Sequence, residues 1–361
     1  MIVVPVILAG GIGERFWPFS RAKMPKQLLP IISNKSMIEE TFLRVSGFSS
    51  KGVKPLLVTG NLISSKIKKV VPKKIAYDVI TEPIGKNTAP AVAIAAAFVE
   101  KKYGSDAVMV VLSADHAISP KQSFTKSVKY AATIASKEDS LVVFGIRPSR
   151  PDTGYGYIQQ QKIFEESENG SSYVVKKFVE KPTAVKAKKY LETGKYLWNS
   201  GMFVWRTDVI LNEFKNSMPD TYKKVITVKK KGFTKDAINK FYNTCEKESI
   251  DYGIMEKAKS VIAVAAEFNW DDIGSWEALS RVRETNKKGT AIHGKRIYES
   301  GCKDTIIANN SNLTVAVAGV DNLVVVTVND AVLVISRDEL PNIKKHLANL
   351  KESPKFPSKL F

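Results

Sequence analysis

A short stretch near the start of the sequence combines glycines with cations, since residues 8–27 are LAGGIGERFWPFSRAKMPKQ. Gly10, Gly11 and Gly13 can adopt backbone angles that let successive N–H groups point at an anion. Arg15 and Lys26 follow them and add side-chain charge. The stretch matches neither the G-x-G-x-x-G fingerprint of dinucleotide-binding folds nor the P-loop motif. It predicts a polyphosphate site held by backbone and cations together, although a plain structural turn would use the same glycines.

Carboxylates end two other apolar runs. Asp115 lies in VLSADHAIS, and Asp271 and Asp272 lie in FNWDDIGSW. Ligands of open α/β sheets bind at the carboxyl ends of strands, and two such ends can complete an octahedral Mg²⁺ site with substrate oxygens and water. The second segment alone could be an acidic turn that caps a helix. His116 has no identifiable partner in the sequence, and we expect a structural role for it.

Three further segments carry polar groups of the kind that recognise a sugar: EPIGKNTAPA, FVEKP and YLWNSGMF. Glu180 and Asn199 offer acceptors and donors for hydroxyl groups, and Lys181 offers a cation before a proline. Asn87 and Thr88 stand at a predicted helix start. Each segment taken singly would also pass as a turn. The sequence suggests no nucleophile paired with a base, which favours phosphate transfer by positioning and charge neutralisation.

The elements that must position these residues follow from the apolar pattern. Up to about residue 147, short β-branched runs alternate with helical patterns, which predicts a parallel sheet with helices on both faces. Residues 148–280 predict inserted, antiparallel structure that faces the substrate. After about residue 288, short and evenly spaced apolar runs predict a small β domain with a few solenoid coils and a terminal helix. We therefore predict a catalytic α/β domain over 1–285 and a small β domain over 286–361.

Composition narrows the classes of partner. The 361 residues carry 55 Lys plus Arg against 36 Asp plus Glu, a formal net charge of +19, which favours anionic partners. Aromatic residues make up 9% of the chain and do not interleave with the basic stretches, so no nucleic-acid partner is expected. Two distant cysteines, Cys245 and Cys302, predict neither a disulfide framework nor a zinc site. No signal peptide and no membrane span are predicted, and a cytoplasmic location is expected.

Seven ordered motifs carry a resemblance to a known family. The glycine-rich stretch, EPIGKNTAPA, SADH, FVEKP, WNSGMF, SIDYGIME and WDDIGSW follow one another as in bacterial mannose-1-phosphate guanylyltransferases. The likeness spans about residues 1–276 and is looser beyond. It implies a Rossmann-like nucleotidyltransferase fold whose extra C-terminal strands could form a left-handed β-helix. It also implies a Mg²⁺-dependent reaction in which GTP and α-D-mannose 1-phosphate give GDP-mannose and diphosphate.

The resemblance also implies residue roles. The nucleotide would be held by Leu8, Gly10, Gly11, Gly13, Asn87, Thr88 and Ser113, with Arg15 at the triphosphate and Lys26 beside it. Asp115 and Asp272 match the metal-binding acids, and this selects Asp272 over Asp271. Gly154, Glu180 and Asn199 would meet the mannose, and Lys181 its phosphate. Lys86 stands where many relatives have Arg, which keeps the charge but loses bidentate geometry.

Two expectations concern the rest of the molecule, and two alternatives concern its function. Larger family members carry a further isomerase domain, so we expect this chain to be monofunctional. The open end of the β coils suggests a homodimer. The same chemistry on another pair, such as UTP or ATP with glucose 1-phosphate, is one alternative function. A regulator that binds a sugar nucleotide without turning it over is the other.

Overall fold

The computed structural model describes residues 1–11, 13–357 and 360–361. Its strands are β1 Val3–Ala9, β2 Leu56–Gly60, β3 Asp78–Glu82, β4 Val108–Ser113, β5 Ala117–Ser119, β6 Leu141–Ile146, β7 Tyr157–Ser167, β8 Gly170–Val179, β9 Tyr196–Arg206, β10 Val261–Ala265, β11 Asn269–Asp271, β12 Ala291–Gly294, β13 Ile297–Ser300, β14 Ile306–Asn310, β15 Val315–Ala318, β16 Leu323–Val328 and β17 Ala331–Ser336.

Its α-helices are α1 Met37–Val45, α2 Asn61–Val70, α3 Thr88–Tyr103, α4 Lys121–Lys137, α5 Ala184–Thr193, α6 Thr207–Ser217, α7 Pro219–Lys230, α8 Lys235–Thr244, α9 Leu279–Val282 and α10 Ile343–Glu352. Short 3₁₀ turns cover Glu14–Phe16, Lys26–Leu28, Trp276–Ala278 and Arg337–Asn342, and a π-helical turn covers Asp251–Met255. No helix in the described part of the chain has the length and apolar character needed to cross a membrane.

Nine strands form one mixed sheet in the order β3-β2-β1-β4-β9-β6-β10-β8-β7. Strands β1 to β4 pair in parallel, and β9 runs antiparallel between β4 and β6. The long β7–β8 hairpin is the antiparallel structure expected within residues 148–280. Apolar clusters cover both faces of the sheet. The predicted Rossmann-like α/β class is thereby confirmed.

Local sequence explains where two helices of this sheet begin. The Ser36 hydroxyl accepts a hydrogen bond from the Glu39 amide at the start of α1. At the start of α3, the Asn87 side chain accepts from the Thr88 amide at 2.8 Å. Gly104, with φ of 99°, ends α3, in a region of backbone space that other residues rarely adopt. The caps at Ser36 and Asn87 lie on the side of the carboxyl edge of the sheet, and Gly104 lies on the opposite side, before β4.

The C-terminal strands stack as coils. β12, β14 and β16 pair in parallel, with Ala291 beside Ile306 and Ile306 beside Val324, and β13 pairs in parallel with β15. β17 closes the stack in an antiparallel pair with β16. Helix α10 follows and buries Ile343 and Leu347. The predicted small β domain with a terminal helix is therefore present, and the predicted division at 285/286 lies between α9 and β12.

A third apolar cluster joins the coils to the start of the chain. Phe16, Trp17 and Phe19 pack with Trp276 and with the inward side chains of β12, β14 and β16. The Trp276 indole N–H also donates to the Trp17 carbonyl at 3.0 Å. Residues 8–27, called the basic stretch below, thus pack between the large sheet and the coils.

The coil contacts generate a stability prediction at Gly294, which ends β12 with φ of 109°. A Cβ there would lie 2.0 Å from the carbonyl oxygen of Asn309 on β14, far inside contact distance. We expect Gly294→Ala to lower the free energy of unfolding by more than about 3 kcal/mol, measured by chemical denaturation. Gly319→Ala is the control, because its φ is 64° and its Cβ would meet no atom within 4 Å. It should cost only about 1 kcal/mol of backbone strain. Equal losses in the two variants would contradict the proposed clash.

Candidate active site

A cleft of about 810 Å³ opens at the carboxyl edge of the sheet, where β1 has β2 on one side and β4 on the other. Such a point in an α/β sheet is where ligands bind. Ten of the predicted site residues line it: Leu8, Gly10, Gly11, Asn87, Thr88, Ser113, Gly154, Glu180, Asn199 and Asp272. The other five do not line it: Lys26, Asp115 and Lys181 are each adjacent in the chain to a lining residue, whereas Gly13 and Arg15 are not.

Lys26 ties the basic stretch to both acidic strand ends. Its ammonium group lies 2.7 Å from Oδ2 of Asp115 and donates to the carbonyls of Asp272 and Ile273, each at 2.8 Å. The residue is only 5% exposed. Because a buried cation is costly unless it is paired and hydrogen-bonded, these three oxygens hold the side chain in place. Segments that are more than 80 residues apart in the chain therefore meet at one nitrogen atom.

Asp115 is ionised at any ordinary pH. Burial raises its pKa, but the charge of Lys26 and the hydrogen bonds from Lys26 and Ser113 outweigh burial and lower the pKa to about 2. The Ser113 hydroxyl donates to Oδ1 at 2.8 Å. His116 is held in turn by the Trp270 indole, which donates to its Nδ1 at 3.2 Å, and burial lowers the pKa of the imidazole. A neutral, packed His116 agrees with the structural role expected from the sequence.

The two adjacent acids, Asp271 and Asp272, point to different partners. The Asp271 carboxylate accepts hydrogen bonds from Arg281 at 2.6 and 3.1 Å and from the Ile273 amide. Asp271 and Arg281 therefore form a structural ion pair. Oδ1 of Asp272 accepts from the Tyr155 hydroxyl at 2.9 Å and from the Gly274 amide at 3.1 Å. Of the two, only Asp272 lines the cleft. The side chain selected by the family resemblance is therefore the one that faces the ligand space.

Two glycines shape the start of the basic stretch. Gly11 and Gly13 have φ of 80° and 73°, in the left-handed region that favours glycine. A Cβ on Gly13 would lie 2.4 Å from Cβ of Lys26, so the close approach of these two residues also requires glycine. Arg15 is exposed, and its side chain forms no ion pair with the described residues. Its guanidinium group is available to an anion.

The polar groups expected to meet a sugar lie together at the other end of the cleft. Asn199 donates from Nδ2 to Asp251 at 2.7 Å and accepts from the Gly201 amide at 3.0 Å. Glu180 pairs with Lys181 at 2.9 Å. Gly154 donates its amide to Asp152 at 2.8 Å. The Asn199 and Glu180 side chains both approach Gly156, where a Cβ would lie 2.5 Å from Oε2 of Glu180 and 3.6 Å from Nδ2 of Asn199, an arrangement suited to hydroxyl groups.

Among the lining residues that the sequence analysis did not name are Glu82, Tyr155 and Asp251, which have ionisable side chains. Asp251 lies in the SIDYGIME motif, where burial raises its pKa to about 6. Glu82 ends β3, as Asp115 follows β4, so the strand-end rule could have found it; burial raises its pKa to about 7. Tyr155 has no sequence signal beyond its place beside Gly154. Buried carboxylates with raised pKa values mark functional sites in clefts.

Comparison with known proteins agrees with this geometry. The sequence model described as nucleotidyl transferase matches residues 4–289. The chain belongs to the nucleotidyl transferase family. Two curated relatives of this nucleotidyl transferase, from Klebsiella pneumoniae and Escherichia coli, are mannose-1-phosphate guanylyltransferases. Each is 36% identical over 360 residues, which are 98% of this chain and 74% of the relative.

A solved structure is similar along almost the whole nucleotidyl transferase chain. It is a protein from Thermus thermophilus described as a mannose-1-phosphate geranyltransferase, with a TM-score of 0.87 and 30% identity. The match covers 97% of this chain and 100% of that one, so it includes the C-terminal coils. The resemblance carried by the seven motifs is thus confirmed, and the enzyme is a nucleotidyltransferase.

The raised pKa of Asp251 predicts a pH-dependent stability. A folded-state pKa of about 6, against an ordinary 3.8, means that the folded enzyme favours the protonated acid. The contribution of this protonation to the free energy of unfolding is fully present below pH 3.8 and is lost as the pH rises through about 6. Asp251→Asn removes the ionisation and can still accept from Asn199. We expect its Tm to exceed that of the wild type by about 2–4 °C at pH 8, with a smaller difference at pH 5.

The control for this measurement is Asp220→Asn, an exposed carboxylate on α7 that pairs with Lys224. Its Tm difference from the wild type should be small and equal at the two pH values. A gain at pH 8 that also persists at pH 5 would exclude ionisation of Asp251 as the cause. Turnover should fall in Asp251→Ala, because that change removes the acceptor that holds Asn199 beside the cleft.

Proposed function

We propose that this nucleotidyltransferase converts GTP and α-D-mannose 1-phosphate to GDP-mannose and diphosphate. The observation that carries the proposal is the meeting of Lys26, Asp115 and Asp272 at the wall of one cleft, which Asp272 lines. One side of that point has the glycine-rich backbone and the exposed Arg15. The other side has Glu180 and Asn199, which suit sugar hydroxyls. A nucleoside triphosphate and a sugar phosphate would therefore meet at the cationic centre, and the curated relatives support mannose and guanosine as the two ligands.

The reaction is an in-line displacement at phosphorus. A phosphate oxygen of the sugar phosphate attacks the α-phosphorus of the nucleotide, and the bond from that phosphorus to the bridging oxygen breaks, so that the electron pair leaves with diphosphate. Transfers of this kind depend on orientation and charge stabilisation rather than on a protein nucleophile. Arg15 and Lys26 would neutralise the departing diphosphate, and Lys181 would orient the attacking phosphate.

The acidic residues suit a magnesium ion. Within the described residues, no group of three or more His, Cys, Asp or Glu side chains converges as a preformed metal cage. Mg²⁺ commonly binds through one or two carboxylates together with substrate phosphates and water, and Asp115 and Asp272 are such a pair. Asp115 is ionised, as a ligand must be. When bound there, the ion would supply charge neutralisation at the α-phosphate and the incoming phosphate.

Glu82 favours guanine over other bases. It is 8% exposed and lines the cleft beside the glycine-rich backbone, where a Cβ on Gly10 would lie 3.8 Å from its Oε2. A carboxylate accepts two hydrogen bonds side by side, and guanine offers two adjacent donors on its N1 and 2-amino groups. Adenine and uracil offer only one donor on that edge. This contrast supports GTP over UTP and ATP.

We also propose a homodimer through the coils. On β17, at the edge of the coil stack, Val332 and Val334 are 57% and 60% exposed. An exposed apolar edge strand is a ready site for pairing with a second chain. Sedimentation or light scattering of the wild type and of Val334→Lys tests this, since the variant should be monomeric. A wild type that is monomeric at micromolar concentration would exclude the dimer.

The role of Arg15 gives a direct activity prediction. Arg15→Ala should fold with an unchanged Tm, because the side chain is exposed, and should lose about 10²–10³-fold in kcat, the usual effect of removing one preorganised charge. Diphosphate release measures the rate. Lys23→Ala, which removes an exposed cation from the same stretch, is the control and should stay within about threefold. Near-normal turnover of Arg15→Ala would remove Arg15 from the mechanism.

Substrate choice is tested by a matrix of GTP, ITP, ATP and UTP against mannose 1-phosphate and glucose 1-phosphate. We expect GTP with mannose 1-phosphate to give the highest kcat/KM. Glu82→Gln should lower kcat/KM for GTP by about 10–100-fold and should narrow the preference for GTP over ITP, which lacks the 2-amino group. A best pair other than this one would overturn the proposed function. Tight GDP-mannose binding without turnover would instead establish a regulator.

The same residue predicts a pH effect. Protonation of Glu82, whose pKa is about 7, removes its capacity to accept both guanine hydrogen bonds. The KM of the wild type for GTP should therefore rise as the pH falls below about 7. The KM of Glu82→Gln should not show this rise, and an identical pH profile in the two enzymes would remove Glu82 from base recognition.

A further inference from the structure

The stretch that carries Arg15 is fastened to the end of the chain. The Trp17 indole N–H donates to the Leu360 carbonyl at 2.7 Å, and the Trp17 ring stacks on Phe361 at a centroid distance of 6.4 Å. The Ala22 amide donates to the Phe361 carbonyl at 3.1 Å. Of these contacting residues, Ala22 also lines the cleft, so the end of the chain supports a part of the cleft wall. The catalytic stretch therefore has a second support besides the large sheet.

An ion pair adds a second fastening point. The Arg21 guanidinium binds Asp330 through two parallel hydrogen bonds of 2.8 and 2.5 Å. Asp330 lies in the tight turn between β16 and β17, so it belongs to the coils. This bidentate geometry fixes orientation as well as distance, which a lysine could not do. Arg21 itself is not among the residues that line the cleft.

The residues on either side of Arg15 are anchored to the same region. Glu14 pairs with Lys344 at 3.7 Å and with Lys351 at 3.4 Å, both on α10. Phe16 is fully buried in the cluster that the coils share with Trp276. The backbone of Arg15 is thus held on both sides by partners in the C-terminal part of the molecule, while its side chain is exposed.

We propose that the C-terminal β domain is part of the catalytic apparatus, and that Arg21 and Asp330 are positioning residues that set the place of Arg15. This inference rests on the proposed nucleotidyl transfer. The pair acts through the backbone of residues 14–24 and touches no substrate. Small displacements of a positioned group are costly to a rate, so the pair should affect turnover more than it affects stability.

A second ion pair in the molecule serves as a matched control. It allows a purely structural role of Arg21 and Asp330 to be separated from the proposed positioning role. Arg337 begins the 3₁₀ turn after β17, and it binds Glu277 through hydrogen bonds of 2.5 and 3.1 Å. Glu277 lies in the 3₁₀ turn Trp276–Ala278, which follows β11 in the chain. This pair also joins the two parts of the molecule, but it does not contact residues 14–24. Partly exposed ion pairs contribute little to stability, so neutralising either pair should change Tm only slightly.

The first experiment compares Asp330→Asn with Glu277→Gln in the full chain, using the substrate pair that the wild type turns over fastest. We expect Asp330→Asn to lower kcat about 5–10-fold with KM for the sugar phosphate unchanged, and Glu277→Gln to stay within about twofold of the wild type. Both should shift Tm by similar small amounts. Equal kcat values in the two variants, or a kcat loss matched by a larger Tm loss in Asp330→Asn, would overturn the proposal.

Two further measurements separate this inference from the proposed function. Amide hydrogen exchange needs no turnover, and the amides of Trp17, Arg21 and Met24, which are hydrogen-bonded within the stretch, should exchange faster in Asp330→Asn than in Glu277→Gln. The reversed pair, Arg21→Asp with Asp330→Arg, should recover most of the lost kcat relative to either single change. Unchanged exchange and absence of recovery would each contradict positioning by this pair, whichever substrates the wild type uses.

Discussion

The ammonium group of Lys26 is the contact on which the active site depends. It lies between the Asp115 carboxylate and the carbonyls of Asp272 and Ile273, and it is almost fully buried. A charge in that position is stable only while all three oxygens stay in place, so one side chain fixes the relative positions of the basic stretch and two strand ends. Gly13 is tied to this arrangement, because any larger residue would push Lys26 away from it.

The basic stretch is therefore held by two parts of the molecule, the large sheet and the C-terminal coils with the segment that follows them. Lys26 fastens one end of the basic stretch to the sheet, whereas Trp17 and Arg21 fasten its middle to Leu360, Phe361 and Asp330. Arg15 precedes these supports, and its own neighbours are held as well, Glu14 by α10 and Phe16 by the buried cluster that includes the coils. An exposed cation with two fixed neighbours can be aimed at a phosphate without being buried itself, which avoids the cost of desolvating it in the absence of a ligand.

Sequence alone could predict the parts of the site that depend on local pattern. Gly10, Gly11 and Asp115 follow the ends of β1 and β4 as predicted, because each buried strand is followed closely by these residues, and the parallel order of β1 to β4 agrees with the apolar runs. Tyr155 could not be found, since its hydrogen bond to Asp272 joins residues 117 apart in the chain. Asp271 and Asp272 share one local pattern, and only the Arg281 ion pair or the family resemblance tells them apart. The docking of residues 14–24 on the coils has no local signal at all.

The acids of the cleft differ because their surroundings differ. Asp115 has a cation at 2.7 Å and a hydroxyl donor, and its pKa falls to about 2. Within residues 1–11, 13–357 and 360–361, no cation forms an ion pair with Glu82 or Asp251, and burial raises their pKa values to about 7 and 6. These two poorly compensated carboxylates lower the free energy of unfolding of the unliganded protein near neutral pH. A ligand that donates hydrogen bonds to them recovers that cost, and a guanine base on one side and a sugar hydroxyl on the other would both do so. The unliganded cleft therefore contains two buried carboxylates whose hydrogen bonding a ligand would complete.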